Sequence, residues 1–266
     1  MMRWLLCWCL LVSWAGAEEA MDPLQKFATE FVAITPGQGD FPATMKQGTA
    51  DLAAAQPVHE VTLKHSFQMA KYEVPQNLYE QVMGINPSLW KGARNSVEML
   101  TPAEAQQFCE KATALLRERK LLSAEEVIRL PTELEWEYCC RAGTTTRYSF
   151  GDAAQNAGDA GTKATRLDKY GWHTGNAAGN DPPVGALAPN PWGLYDMHGY
   201  LWEICSDPWK PDYAEGTDAD AQGAHVMRGG SWKDSYQKLA SASRQKFLAA
   251  GKDDAVGFRC VKAAVR

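Results

Sequence analysis

One stretch near the carboxyl end of the chain combines side chains that could bind a ligand. Residues 228–232 read RGGSW, and Asp234 and Arg244 follow soon after. An indole ring offers a broad apolar face and an N–H donor, while a guanidinium group binds carboxylates and other acidic groups. The candidates for the lining of a cleft that accepts a sugar, a peptide or an acidic group are therefore Arg228, Ser231, Trp232, Asp234 and Arg244.

The same residues also fit a purely structural interpretation. Paired glycines occur where a strand enters a tight turn. Tryptophans pack in protein cores, and buried arginines need carboxylate partners, for which Asp196, Glu203 and Asp207 are available. Trp202 and Arg259 share both interpretations, so the residues alone do not choose between a cleft and a core.

The rest of the chain offers few other catalytic patterns. It contains no C-x-x-C motif, no nucleophile elbow of the G-x-S-x-G type and no phosphate-binding loop. Glu135 is expected to act as a helix cap, so it and its neighbours Glu133 and Glu137 predict no acid–base pair. None of the histidines has a spacing typical of a metal site, and they are interpreted as structural or surface residues: His59, His65, His173, His198 and His225.

The amino-terminal residues predict export. Residues 1–17 contain Arg3, a short apolar run and the small-residue sequence AGA, as a secretory signal does. We expect a signal peptide over residues 1–17, a short leader over 18–29 and one domain over 30–266, in a secreted or periplasmic protein. The apolar run is too short to span a bilayer and no later stretch is apolar enough, so no membrane span is expected.

The net charge excludes one class of partner, and the cysteine content bears on whether disulfides are expected. The formal net charge of −5 argues against nucleic acid as a partner, because phosphate contacts require a basic face. Export favours disulfides, and an odd number of cysteines after the predicted signal leaves at least one thiol free or paired between chains. These residues are Cys109, Cys139, Cys140, Cys205 and Cys260.

Two helices with strong start signals are expected to support the candidate residues. Thr101 with Glu104, and Thr132 with Glu135, predict capping boxes ahead of apolar-periodic segments. A shorter helix is expected over residues 75–83. After residue 143 the periodicity disappears although aromatic residues stay frequent, which predicts a packed, loop-rich region. The fold class is therefore expected to be mixed α+β with little regular secondary structure.

Several blocks of sequence together resemble one known family. Residues 129–138 read RLPTELEWEY, residues 189–199 read PNPWGLYDMHG, and residues 228–232 and 257–259 read RGGSW and GFR. These blocks are similar to those of the formylglycine-generating enzymes, also called sulfatase-modifying factors, over about residues 30–263. The resemblance implies a loop-rich α+β domain related to C-type lectin-like folds.

Enzymatic members of this family oxidise a sulfatase cysteine to formylglycine with copper held by two cysteines, which follow the G-G-S-[WY] stretch. Asp234 and Leu239 stand at the matching positions, and no cysteine occurs between Cys205 and Cys260. Neither an aspartate nor a leucine replaces a thiolate as a Cu(I) ligand. The resemblance therefore points to a branch without the copper pair, for which we expect no copper and no formylglycine generation.

The resemblance also implies calcium and a disulfide. Family members fix loops with Ca²⁺, and Asn176, Asn180 and Asp181 could supply the oxygen ligands, with a hydrogen-bonded loop without metal as the alternative. At a second family site Tyr200 replaces an asparagine. The implied disulfide joins Cys109 to Cys260, with two buried thiols as the alternative. The pairing of the other cysteines is open, with Cys205 as a potential partner of Cys139 or Cys140.

Taken together, these features predict an exported binding or accessory module without catalytic activity, whose ligand is a protein, a peptide or a glycan. One alternative is a metal-dependent oxidoreductase that acts on a protein or small-molecule thiol in the same cleft. The other is lectin-like glycan binding.

Overall fold

The computed structural model describes residues 21–265, so the signal peptide predicted over residues 1–17 lies outside the described part. The helices of that part are α1 (Pro23–Thr29), α2 (Gln76–Met83), α3 (Pro102–Glu118) and α4 (Glu133–Arg141). Its strands are β1 (Phe31–Ile34), β2 (Thr44–Gln47), β3 (His59–Thr62), β4 (Phe67–Ala70), β5 (Glu126–Arg129), β6 (Trp202–Pro208), β7 (His225–Arg228), β8 (Arg244–Phe247), β9 (Val256–Gly257) and β10 (Val261–Ala264). No helix in residues 21–265 is both long and apolar enough to cross a membrane.

The strands form small sheets, against which the longer helices pack. One sheet has the order β1-β4-β10-β5, a second pairs β2 with β3, and a third has the order β8-β7-β6-β9. Helix α3 lies on β5 and α2, and helix α4 contacts β2, β6 and β7. Because β7 ends at Arg228, the RGGSW stretch leaves the third sheet where α4 packs against it.

Both predicted capping boxes are present and explain where α3 and α4 begin. The hydroxyl of Thr101 accepts the Glu104 N–H at 3.2 Å, and the Glu104 carboxylate accepts the Thr101 N–H at 2.7 Å. Thr132 and Glu135 make the same pair of bonds at 3.1 and 2.8 Å. These bonds satisfy N–H groups that have no partner inside a helix.

Helix α1 belongs to the packed core. Leu24 and Phe27 are 0% and 4% exposed and lie in the same cluster as α2 and α3. The side chain of Asp22 caps this helix through the N–H groups of Leu24 and Gln25. Packing of the domain therefore begins within the segment expected to be a leader.

The loop-rich character predicted after residue 143 is confirmed. Between α4 and β6 the only helical segment is the 3-10 turn Leu167–Lys169, and buried side chains hold the chain in place. Asn190 donates to the Cys139 carbonyl at 2.8 Å and accepts the Leu194 N–H at 3.1 Å. The His198 ring bonds to the Leu239 carbonyl and the Ser149 N–H at 2.9 and 3.1 Å. Burial lowers the pKa of His198 to about 4, so the ring is neutral and structural.

Buried carboxylates surround the Arg259 guanidinium group. Glu203 accepts two hydrogen bonds from it at 2.6 and 2.7 Å, and a third from the Trp136 indole N–H at 2.8 Å. Burial and the nearby charge of Glu203 raise the pKa of Asp196 to about 6. The same causes raise the pKa of Glu73. One arginine thus faces several acidic groups, and ionisation of all of them opposes folding.

Replacing Asp196 by asparagine should weaken the pH dependence of stability. Its folded pKa of about 6 exceeds the ordinary 3.8, so the folded protein holds a proton here that the unfolded chain has lost. This contribution to stability is present below about pH 4 and disappears as the pH rises through about 6. At 1.36 kcal/mol per pKa unit, it amounts to at most about 3 kcal/mol.

Urea denaturation at about pH 4 and about pH 7.5 measures the effect. The free energy of unfolding should fall less with pH for Asp196→Asn than for the wild type. Asparagine keeps an acceptor for the Gly185 N–H, now bonded at 2.7 Å, and tolerates the φ angle of 59° at this position. An unchanged pH dependence in the variant would contradict the assigned proton.

The predicted Cys109–Cys260 disulfide is also testable. The two sulfur atoms lie 3.9 Å apart in the core and belong to thiols in this structure, so the bond stays a prediction. Alkylation of oxidised, unfolded protein should then leave Cys109 and Cys260 unlabelled. Reduction should lower the free energy of unfolding by about 3–5 kcal/mol, because the bond would link positions 151 residues apart in the unfolded chain. If Cys109 and Cys260 are labelled as fully before reduction as after it, the disulfide does not form.

Candidate functional site

The RGGSW stretch forms a tight turn at the end of β7. Gly229 and Gly230 have φ angles of 103° and 78°, in the region that favours glycine. A Cβ atom on Gly230 would lie 2.7 Å from the Leu239 side chain, so close packing also requires glycine there. Beyond the turn, the backbone N–H of Trp232 donates to the Tyr200 carbonyl at 2.9 Å. The turn thus fixes the position of the Trp232 side chain.

Asp234 fixes the turn from inside. One of its oxygens accepts the Ser231 hydroxyl at 2.7 Å, the Ser231 N–H at 3.2 Å and the Trp202 indole N–H at 2.7 Å. The other oxygen pairs with Lys238 at 3.0 Å. The carboxylate is therefore occupied by partners from the protein itself, and through it the structure joins two of the predicted site residues, Ser231 and Asp234.

The residues present do not fit a copper–thiolate pair. Leu239 is fully buried and packs on Gly230. A thiol does lie nearby, since Cys140 is 3.8 Å from the His198 ring. Burial raises the pKa of Cys140 to about 12, so this thiol is protonated in the protein without metal.

Arg228 and Arg244 are buried in ion pairs rather than placed in a cleft. Arg228 pairs with Glu137 and donates to two backbone carbonyls at 2.9 and 2.7 Å. Arg244 binds the Glu133 carboxylate at 2.6 and 3.0 Å. These two residues therefore belong to the core rather than to a cleft. Their guanidinium groups hold α4 against β7 and β8.

Beside the turn lies a cavity of about 340 Å³, which we call the tryptophan cavity. Distant parts of the chain contribute to it: the loop between α2 and α3, the loop of residues 172–182, and the segments around residues 200, 232 and 254. Its aromatic lining is Trp90, Trp172, Tyr200 and Trp232, and its acidic lining is Glu98, Asp181 and Asp254.

The acidic side chains of the tryptophan cavity differ in how well they are paired. Glu98 accepts the Trp90 backbone N–H at 3.0 Å through one oxygen, while its other oxygen is buried without a partner. Burial raises the pKa of Glu98, and also that of Asp181. Asp254 accepts the Trp90 indole N–H at 3.2 Å and pairs with Lys233.

Two of the predicted calcium ligands, Asn180 and Asp181, line this cavity, and Asn176 lies in the same loop. The Asn176 side chain accepts the His173 N–H at 2.8 Å and donates to the Gly171 carbonyl at 3.0 Å. Asn180 donates to the Asn176 carbonyl at 3.0 Å, and Asp181 accepts from Asn95 at 2.6 Å. Asn176 thus stabilises the loop directly, and calcium binding by these residues stays a prediction. Across residues 21–265, no group of three or more His, Cys, Asp and Glu side chains is placed to hold a metal ion.

Sequence reasoning found Trp232 but missed the opposite wall of the tryptophan cavity. Trp90 is 52% exposed and lies in a turn-rich segment between two predicted helices, outside any apolar repeat. A large aromatic residue in such a segment is the sequence feature that could have identified Trp90 as a candidate. Glu98 carried no signal, because its burial depends on the loops that meet around it.

Comparisons with known proteins agree with this architecture. The family model described as sulfatase-modifying factor enzyme 1-like domain matches residues 17–264. The fold resembles that of PvdO from Pseudomonas aeruginosa, with a TM-score of 0.70 and 21% identity over 88% of this chain and 94% of that one. It also resembles Treponema denticola variable protein 1, with a TM-score of 0.71 and 24% identity over 88% and 95% of the two chains.

Curated relatives carry different names. The formylglycine-generating enzyme of Streptomyces coelicolor is 35% identical over 50% of this chain and 46% of its own. The serine/threonine-protein kinase pkn1 of Chlamydia caviae is 34% identical over 50% of this chain and 21% of its own. The chaperone protein LppX of Paenibacillus barcinonensis is 26% identical over 76% and 81%. The match therefore spans less than half of the enzyme and of the kinase.

The turn at residues 228–232, the buried arginine–glutamate pairs and the loop-rich α+β fold all lie within the region that the family model covers. Since that region is nearly the whole described chain, the chain belongs to the sulfatase-modifying factor enzyme 1-like domain family.

Proposed function

We propose that this protein is an exported binding or accessory module of the family, without oxidase activity, and that it takes its ligand in the tryptophan cavity. Export rests on the sequence of residues 1–17. The observation that carries the absence of oxidase activity is the state of Asp234, whose carboxylate is held by Ser231, Trp202 and Lys238.

Two further features support a binding role. The cavity has a volume suited to a side chain or a small molecule, about 340 Å³. Its walls contain large aromatic rings, and Trp232 is anchored at both ends by bonds to the Tyr200 and Asp254 carbonyls, at 2.9 and 3.3 Å. A rigid aromatic wall can bind a ligand with little loss of side-chain entropy.

The absence of oxidase activity is tested with copper-loaded protein and a peptide that contains Cys-x-Pro-x-Arg. Mass spectrometry should detect no formylglycine, because Asp234 and Leu239 cannot hold Cu(I). The formylglycine-generating enzyme of Streptomyces coelicolor serves as the positive control in the same assay. Copper-dependent conversion of the peptide cysteine by this protein would overturn the proposal.

A structural role for Asp234 predicts a loss of stability on its removal. Asp234→Ala leaves the Ser231 hydroxyl and the Trp202 indole N–H without their acceptor, so the free energy of unfolding should fall by about 1–3 kcal/mol. Asp218, which is exposed, provides the matched control: Asp218→Ala should change stability by less than about 0.5 kcal/mol. Equal stability of the two variants in urea denaturation would argue against the structural role.

A further inference from the structure

We propose that the tryptophan cavity binds the ammonium group of an organic cation. This inference rests on the proposed function and names the chemistry of the ligand. It applies to alkylammonium ions generally, whether the nitrogen belongs to a small molecule or to a lysine side chain of another protein.

The aromatic walls provide the first part of the argument. Trp90, Trp172, Tyr200 and Trp232 line one cavity. The faces of such rings carry partial negative charge and attract a cation within about 6 Å, with tryptophan the strongest of them. An alkylammonium ion also has apolar substituents, which can pack against the same rings. Aromatic walls alone would accept a neutral apolar ligand as well, so the charges must decide.

The acidic side chains of the cavity favour a cation over a neutral ligand. Among the described residues that line the cavity, three are acidic and none is a lysine or arginine. Glu98 is 3% exposed, and one of its oxygens has no hydrogen-bond partner. Asp181 bonds to the neutral groups of Asn95 and Tyr200, at 2.6 and 3.5 Å. The unpartnered oxygen of Glu98 has almost no exposed surface of its own, but the negative charge of the carboxylates in the wall favours a cation in the cavity beside them.

A residue of the chain already uses this pairing at the rim. The Lys233 ammonium group lies 5.2 Å from the centre of a Trp232 ring and pairs with Asp254. The combination of an indole face and a carboxylate therefore holds an ammonium group in this protein. Lys233 neutralises Asp254, which leaves Glu98 and Asp181 as the groups available to a ligand.

The proposal is tested with three probes on the full chain, by calorimetry and tryptophan fluorescence. Choline carries a quaternary ammonium, butylammonium reproduces a lysine side chain, and 3,3-dimethylbutan-1-ol is a neutral molecule with the shape of choline. At least one cation should bind, and the neutral probe should bind at least about tenfold more weakly than choline if choline is bound. Preference for choline would indicate a methylated ammonium ligand, and preference for butylammonium a lysine side chain.

Two substitutions separate charge from shape. Glu98→Gln keeps an acceptor for the Trp90 N–H and should weaken cation binding by about tenfold or more. Lys233→Gln removes a like charge at the rim and should strengthen it by roughly twofold to fivefold. Glu125 is exposed, so Glu125→Gln serves as the control for Glu98→Gln. It changes the net charge by the same amount and should leave cation binding unchanged. Thermal unfolding verifies that each variant is folded.

Three results would overturn the inference. One is failure of both cations to bind the folded protein, and another is cation binding that responds to neither Glu98→Gln nor Lys233→Gln. Binding of the neutral probe as tight as that of choline would likewise reject the ammonium group while leaving a binding cavity in place. The proposed function fails on a different readout, namely formylglycine in the peptide assay.

Discussion

The structure depends on pairing the charged groups that α4 brings into the interior. This helix carries Glu133 and Glu137, which are almost completely buried and meet the guanidinium groups of Arg244 and Arg228. Removing one member of such a pair leaves an uncompensated buried charge, which typically costs about 3–5 kcal/mol. The positions of β7 and β8 relative to α4 are therefore fixed by these pairs as well as by apolar packing.

This constraint determines what the RGGSW stretch can do. Its arginine is committed to Glu137, so the guanidinium group is not available to an acidic ligand. The glycines that follow turn the chain sharply away from the sheet, and Trp232 emerges beside the cavity. The most recognisable motif of the chain thus contributes one side chain to the lining of the tryptophan cavity, while its other residues maintain the framework.

The same framework tolerates a change of chemistry at the adjacent positions. Asp234 provides acceptors for Ser231 and Trp202, and Leu239 fills the space beside Gly230. Both residues stabilise the turn by hydrogen bonding and packing. The arginine–glutamate pairs fix the framework around α4, while these two residues stabilise the turn next to it.

The sequence by itself determined the family, the fold class and the starts of α3 and α4, because capping boxes and motif blocks depend on residues close together in the chain. It also predicted, from the family resemblance, that Asp234 and Leu239 stand where copper-binding members carry cysteines. Only the tertiary structure decided that Arg228 and Arg244 are buried and that Trp90, Glu98, Trp172 and Trp232 share one cavity. The cavity residues lie on loops without periodicity, whose paths are set by long-range bonds such as that between Trp232 and Tyr200. Such bonds form only when the whole chain is folded, so no local pattern encodes them.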